Sequence, residues 1–385
     1  MFRKMPFLLL AMIVFVAVAH SWLPLHWKSV LYAVSLSLKA FIVFTLPFLI
    51  FGLLFKTAVQ LARKSSKVIL FLVPAIILSN FISTLLSYSV GQLAYRFDLS
   101  MSFPPVAAAL LPAWEFALPK LIGNDTAMFS GLILGFIFGY WMPASSEKFS
   151  LQLEKIIGLF LKAFLCVIPV FILGFVIKMY HDQVMAHILR NYSVVFSLVA
   201  CAVFSYIAFL YLVANGFQKA AFVNSLKNML PAAIAGFGSM SSAAAMPLTI
   251  LGTEKNSQNP ALAKALIPAT VNIHLIGDCF AIPIFAFAVL KNFGIAEPTM
   301  IGYLIFASYF VLAKFSVAAV PGGGILVMLP ILESALGFDG EMLSLITALY
   351  ILFDPIITCA NVLGNGGFAM VMDRFLEGKA LQTTD

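Results

Sequence analysis

Asp354, Thr358, Asn361 and Asn365 lie inside the apolar stretch ALYILFDPIITCANVLGNGGFAMVM, residues 348–372, at steps of four, three and four. Those steps place a carboxylate, a hydroxyl and two amides on one face of a helix. Such groups are costly in apolar surroundings and mark substrate or ion pathways when they occur there. A second stretch, IPATVNIHLIGDCFAIPIFAF, residues 267–287, carries Asn272, His274 and Asp278. An imidazole titrates near neutral pH and so suits coupling to a proton gradient. Asp278 follows His274 by four residues, and on a continuous helix the two would pair.

Two further segments are odd in another way. Pro298 to Leu332 contains a single charged residue, Lys314, yet its middle reads VPGGG. Asn228 to Thr253 is uncharged, and its middle reads GFGSMSSAAAMPL where a lipid-facing helix would carry Leu and Ile. Proline and consecutive glycines break helices. Non-helical backbone at membrane depth survives only where protein wraps it or where it lines a cavity. Each segment is therefore expected to be a re-entrant helical hairpin with the Ser-rich or Gly-rich stretch at its tip. The alternative is a pair of kinked helices packed through small residues. Lys314 either snorkels to an interface or stands in for a cation.

The elements that must position these groups are membrane spans. The chain has 385 residues, of which 62% are hydrophobic and 10% charged, with a mean hydropathy of +1.03. That excludes an ordinary soluble domain. Apolar runs near 6–25, 31–62, 66–95, 126–143, 156–178 and 193–216 each read as one helix, joined by polar turns such as ARKSSK and SSEK. The net charge of +7 reports orientation rather than nucleic acid. With the N-terminus inside, Arg3, Lys4, Arg63, Lys64 and Lys67 collect on the cytoplasmic side. The N-terminal run reads as an uncleaved first span, Trp22 and Trp27 as an interfacial anchor, and Asn259 with Pro260 as a helix start. The four cysteines have no CxxC spacing and predict neither disulfide nor metal cluster.

At these motifs the chain resembles the dicarboxylate/amino acid:cation symporter family, the glutamate transporter homologues, in order and over nearly its whole length. SMSSAAAMP is similar to that family's first hairpin tip, ATVNIH to its seventh-helix motif, VPGGG to its second tip and DPIITCANVLGNGG to its eighth-helix motif. The resemblance implies an all-α polytopic membrane protein, with eight transmembrane helices, two re-entrant hairpins (about 225–253 and 298–336) and an elevator mechanism. It implies one membrane unit over 1–385, with scaffold helices at about 6–62 and 126–178, a transport core at about 66–95 and 193–373, and assembly as a homotrimer. The expected location is the cell inner (plasma) membrane with a cytoplasmic N-terminus.

Carried over position by position, the resemblance assigns Asp354 to a substrate ammonium and Asn361 to its carboxylate, with Thr358, Ser241, Ser242, Val320, Gly322 and Gly324 completing the substrate site. Cation binding or coupling falls to Thr270, Asn272, His274, Lys314, Asn361 and Asn365. Where acidic-substrate members place arginines, this chain has Ile357 and Met240. An unpaired second carboxylate would be costly to bury, so a neutral amino acid is favoured over a dicarboxylate. Two aspartates that serve sodium in the family read His274 and Asn365 here. The expectation is a secondary active transporter coupled to sodium or a proton, with membrane lipid and a small-molecule substrate as partners. No cofactor, no metal beyond a possible sodium, no nucleic acid and no enzymatic activity are expected. The rival reading is an uncoupled anion or solute channel on the same fold.

Overall fold

Backbone groups in lipid find no water, so an apolar chain of this kind satisfies them internally as helix. The computed structural model describes residues 5–63, 67–96, 110–119, 121–182, 185–317 and 322–382, and among them every regular element is helical. In chain order these are α1 (Met5–Ala19), α2 (Leu25–Arg63), α3 (Lys67–Arg96), α4 (Asn124–Trp141), α5 (Pro143–His181), α6 (Met185–Ala214) and α7 (Lys219–Ser239). There follow α8 (Ser242–Asn256), α9 (Pro260–Thr270), α10 (Ile276–Asn292), α11 (Met300–Lys314), α12 (Gly323–Leu336) and α13 (Gly340–Gln382). Within α3, α6 and α13, the stretches Phe71–Arg96, Tyr192–Ala214 and Gly340–Phe375 are long and apolar enough to cross a membrane.

One expected boundary moves. SSEK, residues 145–148, is not a turn but lies in the first turns of α5. The chain reverses instead at Met142 (φ −133°, ψ 60°), and Pro143 opens the new helix, where its missing N–H costs nothing.

Small residues set how closely the helices approach. Gly131, Gly135 and Gly139 step by four along α4 and face the backbone of Phe51, Phe55 and Val59 on α2. Added Cβ atoms would come within 2.7 Å of the Phe51 carbonyl and 2.6 Å of the Phe55 carbonyl, so this ridge lets two helices meet almost backbone to backbone. Helices α2, α4 and α5 pack on one another, and α13 packs on α6, α7, α8, α9, α10 and α12. Helix α10 is buried on every side from Ile276 to Leu290. An apolar helix with no exposed face belongs in the centre of a bundle, and this one carries the site into that centre. Outward-facing Leu78, Ile82, Leu86 and Leu93 on α3 give that helix a long apolar exposed stripe.

Candidate functional site

The site is built around an interruption. Asn259 caps α9, its side chain accepting from Leu262 N at 3.3 Å, as Asn-Pro at a helix start predicts. Helix α9 ends at Thr270 and α10 begins at Ile276, so the backbone groups between them need other partners. Asn80 of α3 supplies two: its Nδ2 donates to the Ile273 carbonyl at 2.7 Å, and its Oδ1 accepts from Leu275 N at 3.3 Å. From the other side, Gly277 N donates to Asn361 Oδ1 at 2.8 Å. His274 lies inside this break, fully buried, with Nε2 2.9 Å from Ser79 Oγ and the ring 4.2 Å from that of Phe368. Its Nδ1 has no hydrogen-bond partner among the described residues, and Asn365 Nδ2 donates to the Asn361 carbonyl at 3.0 Å.

Two helix pairs approach α13. Helices α7 and α8 pack on each other and join through Met240, a non-glycine residue in the left-handed region at φ 52°. Ser241 caps α8 by accepting from Ala244 N at 3.2 Å, and buried Ser242 is its first residue. One turn before this junction, Gly236 lies against α13, where a Cβ would sit 3.0 Å from Val362 Cγ2 and 3.4 Å from the Thr358 carbonyl. Helices α11 and α12 form the second pair. Gly322, at φ 71°, precedes α12 and donates its N–H to Asp354 Oδ2 at 2.9 Å. Thr358 Oγ1 donates to the other oxygen, Oδ1, at 3.1 Å. One turn of α13, from Asp354 to Thr358, therefore receives both helix pairs.

Behind the second junction is a buried ion pair. Lys314 Nζ lies 3.2 Å from Asp278 Oδ2, with side chains 0% and 2% exposed. Tyr350 OH donates to Asp278 Oδ1 at 2.7 Å, and the ammonium sits 4.5 Å from the centre of the Phe310 ring. Lys314 is the last residue of α11 and Asp278 is in the first turn of α10. Each charge thus stands at the helix end that favours its sign.

The placement of the expected residues is mixed. Asp354, Thr358, Asn361 and Asn365 share one buried face, at 3%, 4%, 5% and 1% exposure. Gly322 meets Asp354, whereas Gly324 meets the Tyr350 hydroxyl and Asp278. Thr270 is buried, but its hydroxyl donates into its own helix, to the Leu266 and Ile267 carbonyls, while Asn272 is exposed. Val320 lies outside the described residues. Asp278 does not pair with His274. The two are four apart, but the helix starts only at Ile276, so the one-turn geometry never forms and Asp278 turns to Lys314 and Tyr350 instead. Lys314 does not snorkel to an interface, because it has no exposed surface.

Three contributors were not singled out from sequence: Ser79, Asn80 and Tyr350. Each had a signal. Tyr350 precedes Asp354 by four residues and extends the same stripe, and Ser79, Ser83 and Ser87 repeat every four residues in an otherwise apolar run. Among the described residues no three His, Cys, Asp or Glu side chains converge as a metal site. A family model described as the sodium:dicarboxylate symporter family matches residues 5–375. A search among curated proteins returned no match.

Proposed function

The chain belongs to the sodium:dicarboxylate symporter family, a family of membrane transporters, and on that premise we propose that it carries a small neutral amino acid in symport with a cation, sodium or a proton. The observation that carries this reading is that both helix pairs reach one turn of α13, Gly322 binding Asp354 and Gly236, a turn before the α7–α8 junction, lying against the Thr358 carbonyl. A carrier needs a site that two gates can close from either side, whereas a channel needs a continuous polar path. In this scheme α1 to α6 are the first six spans, and α7 with α8 and α11 with α12 are re-entrant hairpins. The broken pair α9 and α10 is the seventh span and α13 the eighth. Scaffold helices α1, α2, α4 and α5 hold a core of α3 and α6 to α13 that moves as an elevator within a homotrimer. The protein sits in the cell inner membrane with its N-terminus in the cytoplasm.

Asp354 is the acceptor for a substrate ammonium. Asn361 spends Oδ1 on Gly277 N, which leaves its Nδ2 donor for the substrate carboxylate. The N-terminus of α8, behind Ser241 and Ser242, offers backbone N–H groups to the same carboxylate. Ile357 and Met240, 1% and 3% exposed, stand where a side-chain carboxylate would need a guanidinium. Such a carboxylate would be buried without a partner, at several kcal/mol on general grounds, roughly 2 to 7 for a polar group and more for an ion. The test is uptake into proteoliposomes of neutral amino acids, aspartate and succinate under imposed sodium or proton gradients. Gradient-driven accumulation of a neutral amino acid is the expected result. Preference for succinate would overturn the substrate class, and downhill flux without accumulation would favour a channel.

A further inference from the structure

Four helices meet where the second helix pair closes, and a single positive charge lies among them. Lys314 ends α11, Asp278 opens α10, Tyr350 is on α13 and Gly324 is in the first turn of α12. A Cβ at Gly324 would fall on the Tyr350 hydroxyl and 2.8 Å from Asp278 Oδ2, so the α12 N-terminus is seated directly on this cluster. Two residues earlier, Gly322 binds Asp354. The geometry that closes the pair over Asp354 is therefore the geometry that buries Asp278.

A carboxylate at 1% exposure needs a compensating charge, and Lys314 supplies it. The ammonium does so as a point charge. It stands 3.2 Å from Oδ2 and over the Phe310 face, yet makes no aligned hydrogen bond. Removing its charge would leave Asp278 in need of a cation from solution. Asp278 and Lys314 cancel, whereas among the described residues the hydrogen bonds to Asp354 come from the neutral donors Gly322 and Thr358.

We propose that Lys314 is a built-in counter-cation, whose ammonium fills the place beside Asp278 that a dissolved cation would otherwise have to occupy for α12 to seat, so that this gate closes without binding a metal ion. The proposal deepens the transporter reading and rests on it: it assigns the coupling charge to the Asp354 and His274 side of the site and removes the second helix pair from it.

The test is a cation scan of thermal stability on the purified full-length protein at constant ionic strength, with choline, sodium, potassium or n-butylammonium chloride and no amino acid present. Uptake plays no part in it, so failure here is separable from failure of the transport assignment. Wild-type protein is expected to melt at the same temperature in n-butylammonium as in choline. Lys314→Ala removes a four-carbon amine and is expected to melt several degrees lower in choline, with n-butylammonium restoring most of the loss. In the neutral pair Asp278→Asn/Lys314→Met, n-butylammonium should not stabilise relative to choline. Stabilisation of wild type by n-butylammonium, or a Lys314→Ala protein indifferent to it, overturns the proposal. If Lys314→Ala does not fold, the neutral pair decides alone: a folded, salt-indifferent double variant supports the charge-compensation role, and a double variant that also fails to fold overturns it.

Discussion

Gly322 N–H points at Asp354 Oδ2 across 2.9 Å, from a left-handed backbone position at φ 71°, so the N-terminus of α12 and a buried carboxylate are held by one hydrogen bond. In this arrangement the carboxylate answers to two claims. It seats the α12 N-terminus, and in the proposed function it offers its charge to a substrate ammonium.

Asp354→Asn separates those claims. An amide keeps an acceptor for Gly322 N–H but loses the charge, and charged hydrogen bonds contribute about 1.5 to 3 kcal/mol, or roughly 10- to 150-fold in affinity. Neutral amino acid binding, measured by titration calorimetry on purified protein, is expected to fall by about that factor with little change in Tm. Unchanged binding would remove Asp354 from the substrate site.

The glycines of the same junction are expected to fail for different reasons. Gly322→Ala puts a Cβ on a left-handed residue, at about 1 to 2 kcal/mol. Gly324→Ala instead collides with Tyr350 and Asp278, and overpacking of this kind costs about 1 to 3 kcal/mol. Gly323→Pro acts one residue back: as the first residue of α12 it tolerates proline, but the residue before a proline is pushed to extended backbone, which pulls Gly322 N–H off Asp354. All three should abolish uptake while circular dichroism stays helical. Normal uptake in Gly323→Pro would return the segment to a passive packing role.

Much of this was readable from residue order. The stripe on α13 followed from spacing alone, since Asp354, Thr358, Asn361 and Asn365 sit in a helix that runs unbroken through Pro355. In both odd segments the flanking helices pack on each other, α7 on α8 and α11 on α12, with Met240 and Gly322 in the left-handed region, while residues 318–321 of the second lie outside the described residues. What failed was any inference that assumed helix continuity where none exists. Asp278 was matched to His274 by a four-residue step across a break, and the break depends on Asn80 of α3, nearly two hundred residues earlier. Lys314 posed the same difficulty. Its ion-pair partner is Asp278 on α10, itself held by Tyr350 on α13, and neither follows from the sequence around residue 314.

Asn80 should matter more than its place in an apolar run suggests. Asn80→Leu leaves the Ile273 carbonyl and Leu275 N–H buried without their partner, at about 1 to 3 kcal/mol each. The expected outcome is a large fall in Tm and lost uptake. Asn80→Asp keeps an acceptor for Leu275 N–H but no donor for Ile273, so it should lie between wild type and Asn80→Leu. Equal stability of all three proteins would mean that the break does not depend on α3.

Coupling is the furthest consequence of the same break. His274 is held by the Ser79 hydroxyl and the Phe368 ring, while the charge of Asp278 is met by Lys314. The Ser79 hydroxyl can donate to a neutral ring or accept from a protonated one, so the imidazole can change its charge without leaving its place. A proton taken up at His274 would supply one positive charge to a site where the described hydrogen-bond donors to Asp354 are neutral. Sodium prefers several oxygens, carboxylates among them, and here Thr270 is turned into its own helix and Asn272 is exposed. The expected result in proteoliposomes is that an inward proton gradient drives neutral amino acid uptake with choline replacing all sodium. His274→Ala should remove the dependence on the gradient while leaving downhill exchange, and Ser79→Ala should weaken it. Uptake that requires sodium and ignores His274 would overturn proton coupling, with symport itself unaffected.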